Sequence, residues 1–201
     1  MFSNKRILTL ILLLVAYSTM PVQAQKAPPP SGSRNDFKIT LLSLGSGSSR
    51  FTYERAFSQR HSGEATLGII GLGWDWMNKS RPQGLLVKLA YKWRLVPQKS
   101  SDSWLGGLYA KPELVLASFK YGHKPAPGEE PPKCPKSTDQ IALLAEIGYQ
   151  LVIDWFVFDI YSGLGPSIGS GNDNNYYHSF MLFPKEGWLA FTAGFRIGVA
   201  F

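Results

Sequence analysis

The fourteen residues 188–201, WLAFTAGFRIGVAF, constrain the fold of this chain more than any other stretch. Every second residue from Leu189 through Phe191, Ala193, Phe195, Ile197 and Val199 to Phe201 is apolar. The opposite set is Trp188, Ala190, Thr192, Gly194, Arg196, Gly198 and Ala200. A period of two is the signature of a strand. In a soluble sandwich the large residues of such a strand point into a core and the other face carries charges. Here the second face is small and holds a single Arg, which fits a barrel whose outside meets lipid and whose inside is narrow and polar.

At the other end of the chain, Lys5 and Arg6 precede an apolar run from Ile7 to Ala16, and Val22, Gln23 and Ala24 form a small-x-small cleavage site. Residues 1–24 therefore read as a secretory signal peptide, the apolar run being shorter than the ~20 residues of a spanning helix. Loss of Lys5 and Arg6 would lower the net charge from +7 to +5. The cations are scattered rather than clustered, so nucleic acid is not expected as a partner. Cys134 is the one cysteine, which excludes an internal disulfide and a CxxC metal site.

Residues 25–36 are rich in Pro, Ser and Gly without an apolar pattern and are expected to form a flexible periplasmic lead-in. From 37 to 201 the chain divides into eight strand candidates separated by turn-forming residues. The first covers 37–44 and the second 50–57, joined by the turn Gly45, Ser46, Gly47, Ser48, Ser49. The third is Gly-rich and covers 64–77, with Trp74 and Trp76 placed as interfacial girdle residues. The fourth covers 85–96, with Leu85, Val87, Leu89, Tyr91, Trp93 and Leu95 on one face and Lys88, Lys92 and Arg94 on the other. The fifth covers 104–121, where Pro112 lacks a ladder donor and implies a bulge or break. The sixth covers 139–153, with Glu146 and Gln150 inward; Asp154 and Trp155 turn the chain into the seventh, 156–168. The last is 188–201.

The long connections 122–137 and 169–187 fall on one side of such a barrel and the shortest, at Asp154 and Trp155, on the other. This is the sorting of outer-membrane barrels, whose periplasmic turns are short and extracellular loops long. With both termini periplasmic, as expected, the two long connections lie on the outer side and the shortest turn inside.

The terminal aromatic strand ending at Phe201 and the segment Arg50, Phe51, Thr52, Tyr53, Glu54, Arg55 resemble the small Gram-negative outer-membrane β-barrel families, the OmpA/OmpX-like group and uncharacterised outer-membrane barrel-domain proteins. The resemblance implies an all-β, eight-stranded, antiparallel up-and-down transmembrane barrel over 37–201 in the outer membrane of a Gram-negative bacterium. It further implies that Phe201 serves as the assembly signal read by the outer-membrane barrel assembly machinery. Members of this group are variously structural, adhesive, host-binding or enzymatic, so the fold alone does not choose a role.

Glu54, Lys88, Lys92, Arg94, Lys111, Glu113, Glu146, Asp159 and Arg196 all project opposite the aliphatic faces. An eight-stranded barrel is just wide enough to be filled by side chains, so acids and bases there are expected to pair into a salt-bridge plug rather than leave an ion path. Tyr176, Tyr177, Phe180 and Phe183, with Met181 and Leu182, form an apolar loop cluster that either packs on the rim or offers a binding patch to an extracellular ligand or protein.

No cofactor or metal is expected, and no catalytic residue is assigned. His61, His123 and His178 all fall in expected turns or loops. Although Asp173, His178 and Ser179 could be drawn as a triad, no GxSxG elbow accompanies them. An outer-membrane lipid hydrolase of the lipid A deacylase type would need a lipid-facing Ser/His pair that the chain does not display. Cys134, between prolines, reads as a bystander thiol.

The sequence thus predicts an integral outer-membrane barrel with a structural or surface-interaction role, in contact with outer-membrane lipid. The alternative is an exported soluble lipocalin-like barrel, in which the aliphatic faces would turn inward around a small apolar ligand. Strand periodicity alone does not separate inside from outside.

Overall fold

The computed structural model describes residues 32–75, 82–99, 103–121, 137–169 and 189–201. The chain separates into two units, Met1–Ser31 and Gly32–Phe201, and every described residue belongs to the second. The expected signal peptide, the lead-in up to residue 31, Trp76, Trp188 and most of both long loops, with His123, Cys134, Asp173, Tyr176, Tyr177, His178, Ser179, Phe180 and Phe183, lie outside the described residues.

Eight strands form in the second unit: β1 (Asn35–Thr40), β2 (Ser46–Ala56), β3 (His61–Asp75), β4 (Pro82–Pro97), β5 (Gly107–Tyr121), β6 (Ser137–Ile153), β7 (Phe156–Gly169) and β8 (Leu189–Ala200). A short helix, α1 (Leu41–Gly45), follows β1. Each strand pairs antiparallel with the next, and β8 returns to β1, so the sheet closes into a barrel. Closure removes the exposed edges an open sheet would present. Among the described residues no helix is long and apolar enough to cross a membrane.

The alternation in sequence becomes an alternation of sides. Along β6, Ile141, Leu143, Ile147 and Tyr149 are exposed on the outer wall, while Ala142, Leu144, Glu146 and Gln150 are buried inside. Asp154 and Trp155 form the hairpin from β6 to β7, with Asp154 in the left-handed region at φ 52°, a conformation in which Asp is tolerated better than most residues.

Several boundaries differ from the sequence reading, each for a local reason. The first strand ends at Thr40 instead of running to 44, because Leu41–Gly45 turns helical and Ser43 Oγ donates to the Thr40 carbonyl at 2.7 Å. Such a side-chain bond offers the backbone an alternative to the ladder. The expected turn at 45–49 is instead mostly the start of β2, and the register against β3 shifts between Ser46 and Ser48. The fifth strand begins at Gly107, not 104, and His61 opens β3 instead of lying in a turn.

Nor does a free lead-in extend to residue 36. The Arg34 carbonyl accepts from Ala56 N at 2.7 Å, the Ser33 carbonyl from Trp104 N at 3.2 Å, and the Arg34 guanidinium lies 4.0 Å over the Trp104 ring. Asn35 and Asp36 already belong to β1.

At Pro112 the β4–β5 ladder breaks between Ala90↔Glu113 and Trp93↔Ala110, without a change of register. The missing donor interrupts pairing but does not displace the strand. The bulge of this pair lies instead between Arg94 and Val96.

The interior is layered rather than uniformly polar, which corrects the expectation of a polar lumen. Ile70, Leu86, Val115, Ala117, Phe119, Ala142, Leu144 and Ala190 form an apolar cluster in the half away from the chain termini. Ala56, Leu105, Val152, Val157 and Ala200, with Trp104, form a second cluster at the terminus end. Between the two lie the charges.

Candidate functional site

Among the described residues, seven cations and six carboxylates are buried: Lys38, Arg50, Lys88, Lys92, Arg94, Lys111 and Arg196 against Asp36, Glu54, Glu64, Glu113, Glu146 and Asp159. A near balance of signs is what a closed interior requires, since an unpaired buried charge costs several kcal/mol. The two apolar layers limit the access of water from either end and so strengthen every attraction between them.

The geometry resolves into two foci. At the first, Glu54 on β2 is fully buried and accepts from Lys38 of β1 at 2.6 Å, Lys92 of β4 at 2.7 Å and Ser62 of β3 at 2.6 Å, and also from Arg94 of β4. Arg94 is anchored from behind, its Nε donating to the Leu105 carbonyl at 3.0 Å. Gln150 of β6 accepts from Lys38 at 3.0 Å and Lys92 at 2.8 Å and donates to Asp36 at 2.7 Å.

At the second focus, Lys111 of β5 meets Glu64, Glu113 at 2.9 Å and Glu146 at 3.1 Å, while Lys88 meets Glu113 from β4. Glu64 joins the foci, binding Lys111 and Arg196 with one oxygen and facing Lys92 at 3.2 Å and Lys38 at 3.5 Å with the other. Asp159 sits between them, accepting from the Tyr109 hydroxyl at 2.6 Å. Every strand contributes at least one group.

Two interior tyrosines fit this layer through glycines. Tyr109 stands opposite Gly148, and Tyr161 stands opposite Gly194. A Cβ at Gly148 would land on the Tyr109 hydroxyl, and one at Gly194 would lie 2.8 Å from that of Tyr161. The rings therefore fold down over bare backbone, an arrangement in which an aromatic covers a strand glycine. This brings Lys92 to 4.1 Å from the Tyr109 ring and Arg196 to 4.2 Å from that of Tyr161.

All nine charges singled out from sequence, Glu54, Lys88, Lys92, Arg94, Lys111, Glu113, Glu146, Asp159 and Arg196, lie in this interior and take part in the network. The sequence reading did not single out Asp36, Lys38, Arg50, Glu64 or Tyr109, and it placed Tyr161 on the inward face beside Asp159 without assigning it to the network. Phe201 is exposed and exchanges backbone hydrogen bonds with Asn35, at 2.8 and 3.0 Å. His61 is not buried in any site; its Nδ1 lies 3.0 Å from the Tyr91 hydroxyl on the outer wall. No cluster of His, Cys, Asp and Glu suited to a metal ion occurs among the described residues.

The chain matches no protein-family model, no curated protein sequence and no solved structure. Its functional reading therefore rests on its own geometry. That geometry is suited to holding a barrel closed from within.

The outer wall is the complement of the site. Around its middle it exposes Leu67, Leu114, Leu143 and Leu164; towards the terminus end it exposes Tyr53, Phe57, Tyr91, Trp93, Tyr149 and Trp155, with Val96, Ile153, Ile160 and Val199 among them. Trp74 is exposed towards the opposite end.

Proposed function

We propose that the chain is an integral outer-membrane β-barrel protein, both termini periplasmic, whose interior is sealed by its charge network and whose role is structural or surface-interacting. One observation carries the reading. The wall exposes an aliphatic belt bordered by an aromatic band while the buried charges face inward, which is the reverse of the economy of a water-soluble protein. Strands β3 to β7, of 14 to 17 residues, also exceed the ~9–11 residues that a tilted strand needs to cross a bilayer.

The soluble lipocalin-like alternative requires the aliphatic faces to line a cavity. The outward orientation of Leu143, Ile147 and Leu164 and the inward orientation of Glu54, Glu64 and Lys111 weigh against it. The OmpA/OmpX-like resemblance and the outer-membrane location belong to this proposal, as does the expectation that the long connections 122–137 and 169–187 lie on the cell exterior.

Expression with the native N-terminal segment, followed by fractionation and gel mobility of heated against unheated samples, tests the proposal. A carbonate-resistant outer-membrane product whose mobility changes on heating supports it; a soluble periplasmic product overturns it. In planar bilayers the sealed interior predicts no steady ion conductance.

A further inference from the structure

The terminus-end rim carries a feature that neither the interior network nor the aliphatic belt uses. On the outer face of β2 the chain runs Phe51, Tyr53, Arg55, from apolar through aromatic to cationic as the rim is approached, and both Tyr53 and Arg55 are exposed. The register places Arg55 opposite Gly63 of β3, and Gly63 opposite Tyr91 of β4. Arg55 and Tyr91 thus stand two strands apart, about 10 Å at ordinary strand spacing, with a glycine between them.

The gap is floored by an aromatic. A Cβ at Gly63 would lie 3.0 Å from Cζ of Phe57, so this exposed ring lies across the backbone where a side chain would stand. On its far side the Tyr91 hydroxyl meets His61 Nδ1 at 3.0 Å. In the adjoining turn Arg60 is exposed, its position fixed by the bond from Arg94 N to its carbonyl at 2.7 Å. Among the described residues neither Arg55 nor Arg60 forms an ion pair, whereas every cation of the interior focus at Glu54 is paired.

Two exposed guanidinium groups, a phenol, an imidazole and an aromatic floor therefore share one sector of the rim, β2 to β4. Guanidinium groups recognise phosphate oxygens in a bidentate way, and aromatic bands lie at headgroup depth. We propose that this sector binds the phosphate headgroup of an anionic phospholipid in the leaflet on the terminus side. Arg55 and Arg60 take the phosphate, the Tyr91–His61 pair takes the headgroup's polar tail, and Phe57 and Tyr53 lie against the glycerol and first methylenes. The inference rests on the membrane reading, because only an inserted barrel presents this sector to a leaflet.

The test is native mass spectrometry of the full barrel released from phosphatidylcholine nanodiscs doped with phosphatidylglycerol, each preparation first checked for insertion and for heat-dependent gel mobility. The wild type is expected to retain phosphatidylglycerol over phosphatidylcholine, and the double variant R55Q/R60Q to lose that preference by about tenfold, in line with the attraction of anionic lipid for one or two interfacial cations. Lys120→Gln, at an exposed position towards the opposite end of β5, is expected to leave it unchanged. Equal retention of the two lipids by the inserted wild type, or a preference that survives R55Q/R60Q, overturns this inference alone. Failure of the wild type to insert overturns the membrane reading and this inference together.

Discussion

The outer wall and the interior of this barrel are built from the same strands, one residue out of step, yet they follow opposite rules. Leu143 and Ile147 stand 55 % and 54 % exposed outside, while Glu146, next in sequence to Ile147, is 3 % exposed inside. In a water-soluble protein the ledger would be reversed. Here, among the described residues, the buried apolar side chains other than Tyr109 and Tyr161 gather in two small clusters at either end of the interior. The centre is held by ions that are costly to bury and are kept only because each has partners. The contrast teaches that the two surfaces need different media: the interior is stabilised by its own pairing, and the proposed membrane placement would give the wall an apolar phase to meet.

The largest expected break comes from the interior. Glu54→Ala would leave Lys38, Lys92 and Arg94 facing one another without their shared carboxylate, at a cost of about 3–5 kcal/mol. The measurement is the urea midpoint of the folded barrel, and a midpoint unchanged from the wild type would show that the network does not hold the interior.

The wall gives the next effect and the sharper contrast. Leu143→Arg places a charge in the middle of the exposed belt of β6 and should cost about 2–4 kcal/mol if that belt lies at the bilayer midplane. If the belt faced water, the same exposed substitution would stay within about 0.5 kcal/mol. Refolding titrations into lipid vesicles separate the two.

A third substitution probes how tightly the layers fit. Gly148→Ala drives a methyl into the Tyr109 hydroxyl, which is held by Asp159, and the expected loss is about 1–3 kcal/mol by the same titration. Smallest is Asp154→Ala in the β6–β7 hairpin, where the left-handed φ of 52° penalises alanine by about 1 kcal/mol. Asp154→Gly should be neutral or slightly stabilising, and equal losses for both would show that the Asp side chain, not the backbone, matters there.

The sequence made the strands legible wherever one face was wholly aliphatic or aromatic, as in β4, β6 and β8, because a period of two leaves no other reading. The charges opposite those aliphatics were legible for the same reason. Asp36 was missed because β1 is only six residues long and abuts a Pro-, Ser- and Gly-rich stretch, which hid its first two residues; extending the alternation of Phe37 and Ile39 backwards would have found it. Lys38 lay within the expected first strand, on the face opposite Phe37 and Ile39, where the same alternation marks it as inward.

Helix α1 was missed because Leu41, Leu42 and Leu44 continue the apolar tone of the strand, and the Ser43 bond that turns the chain is a local contact that periodicity does not register. The layering was not legible either. Lys111, Glu113, Val115, Ala117 and Phe119 share one face of β5, and only the closed register shows that the first two meet the ions of other strands while the last three meet apolar partners. Trp104 and Leu105 read as strand residues by composition, but the chain instead folds them back at the terminus end, where Leu105 is fully buried.

The central claim is that the aliphatic wall meets hydrocarbon. It is tested most directly by nitroxide labels at single cysteines replacing Leu85, Leu114, Leu143 and Ile160, in a Cys134→Ser background, with the barrel reconstituted into vesicles. The account predicts that all four labels collide readily with oxygen, which concentrates in the bilayer interior, and poorly with a water-soluble nickel chelate. Ready access of the chelate to these positions would place the wall in water and contradict the claim.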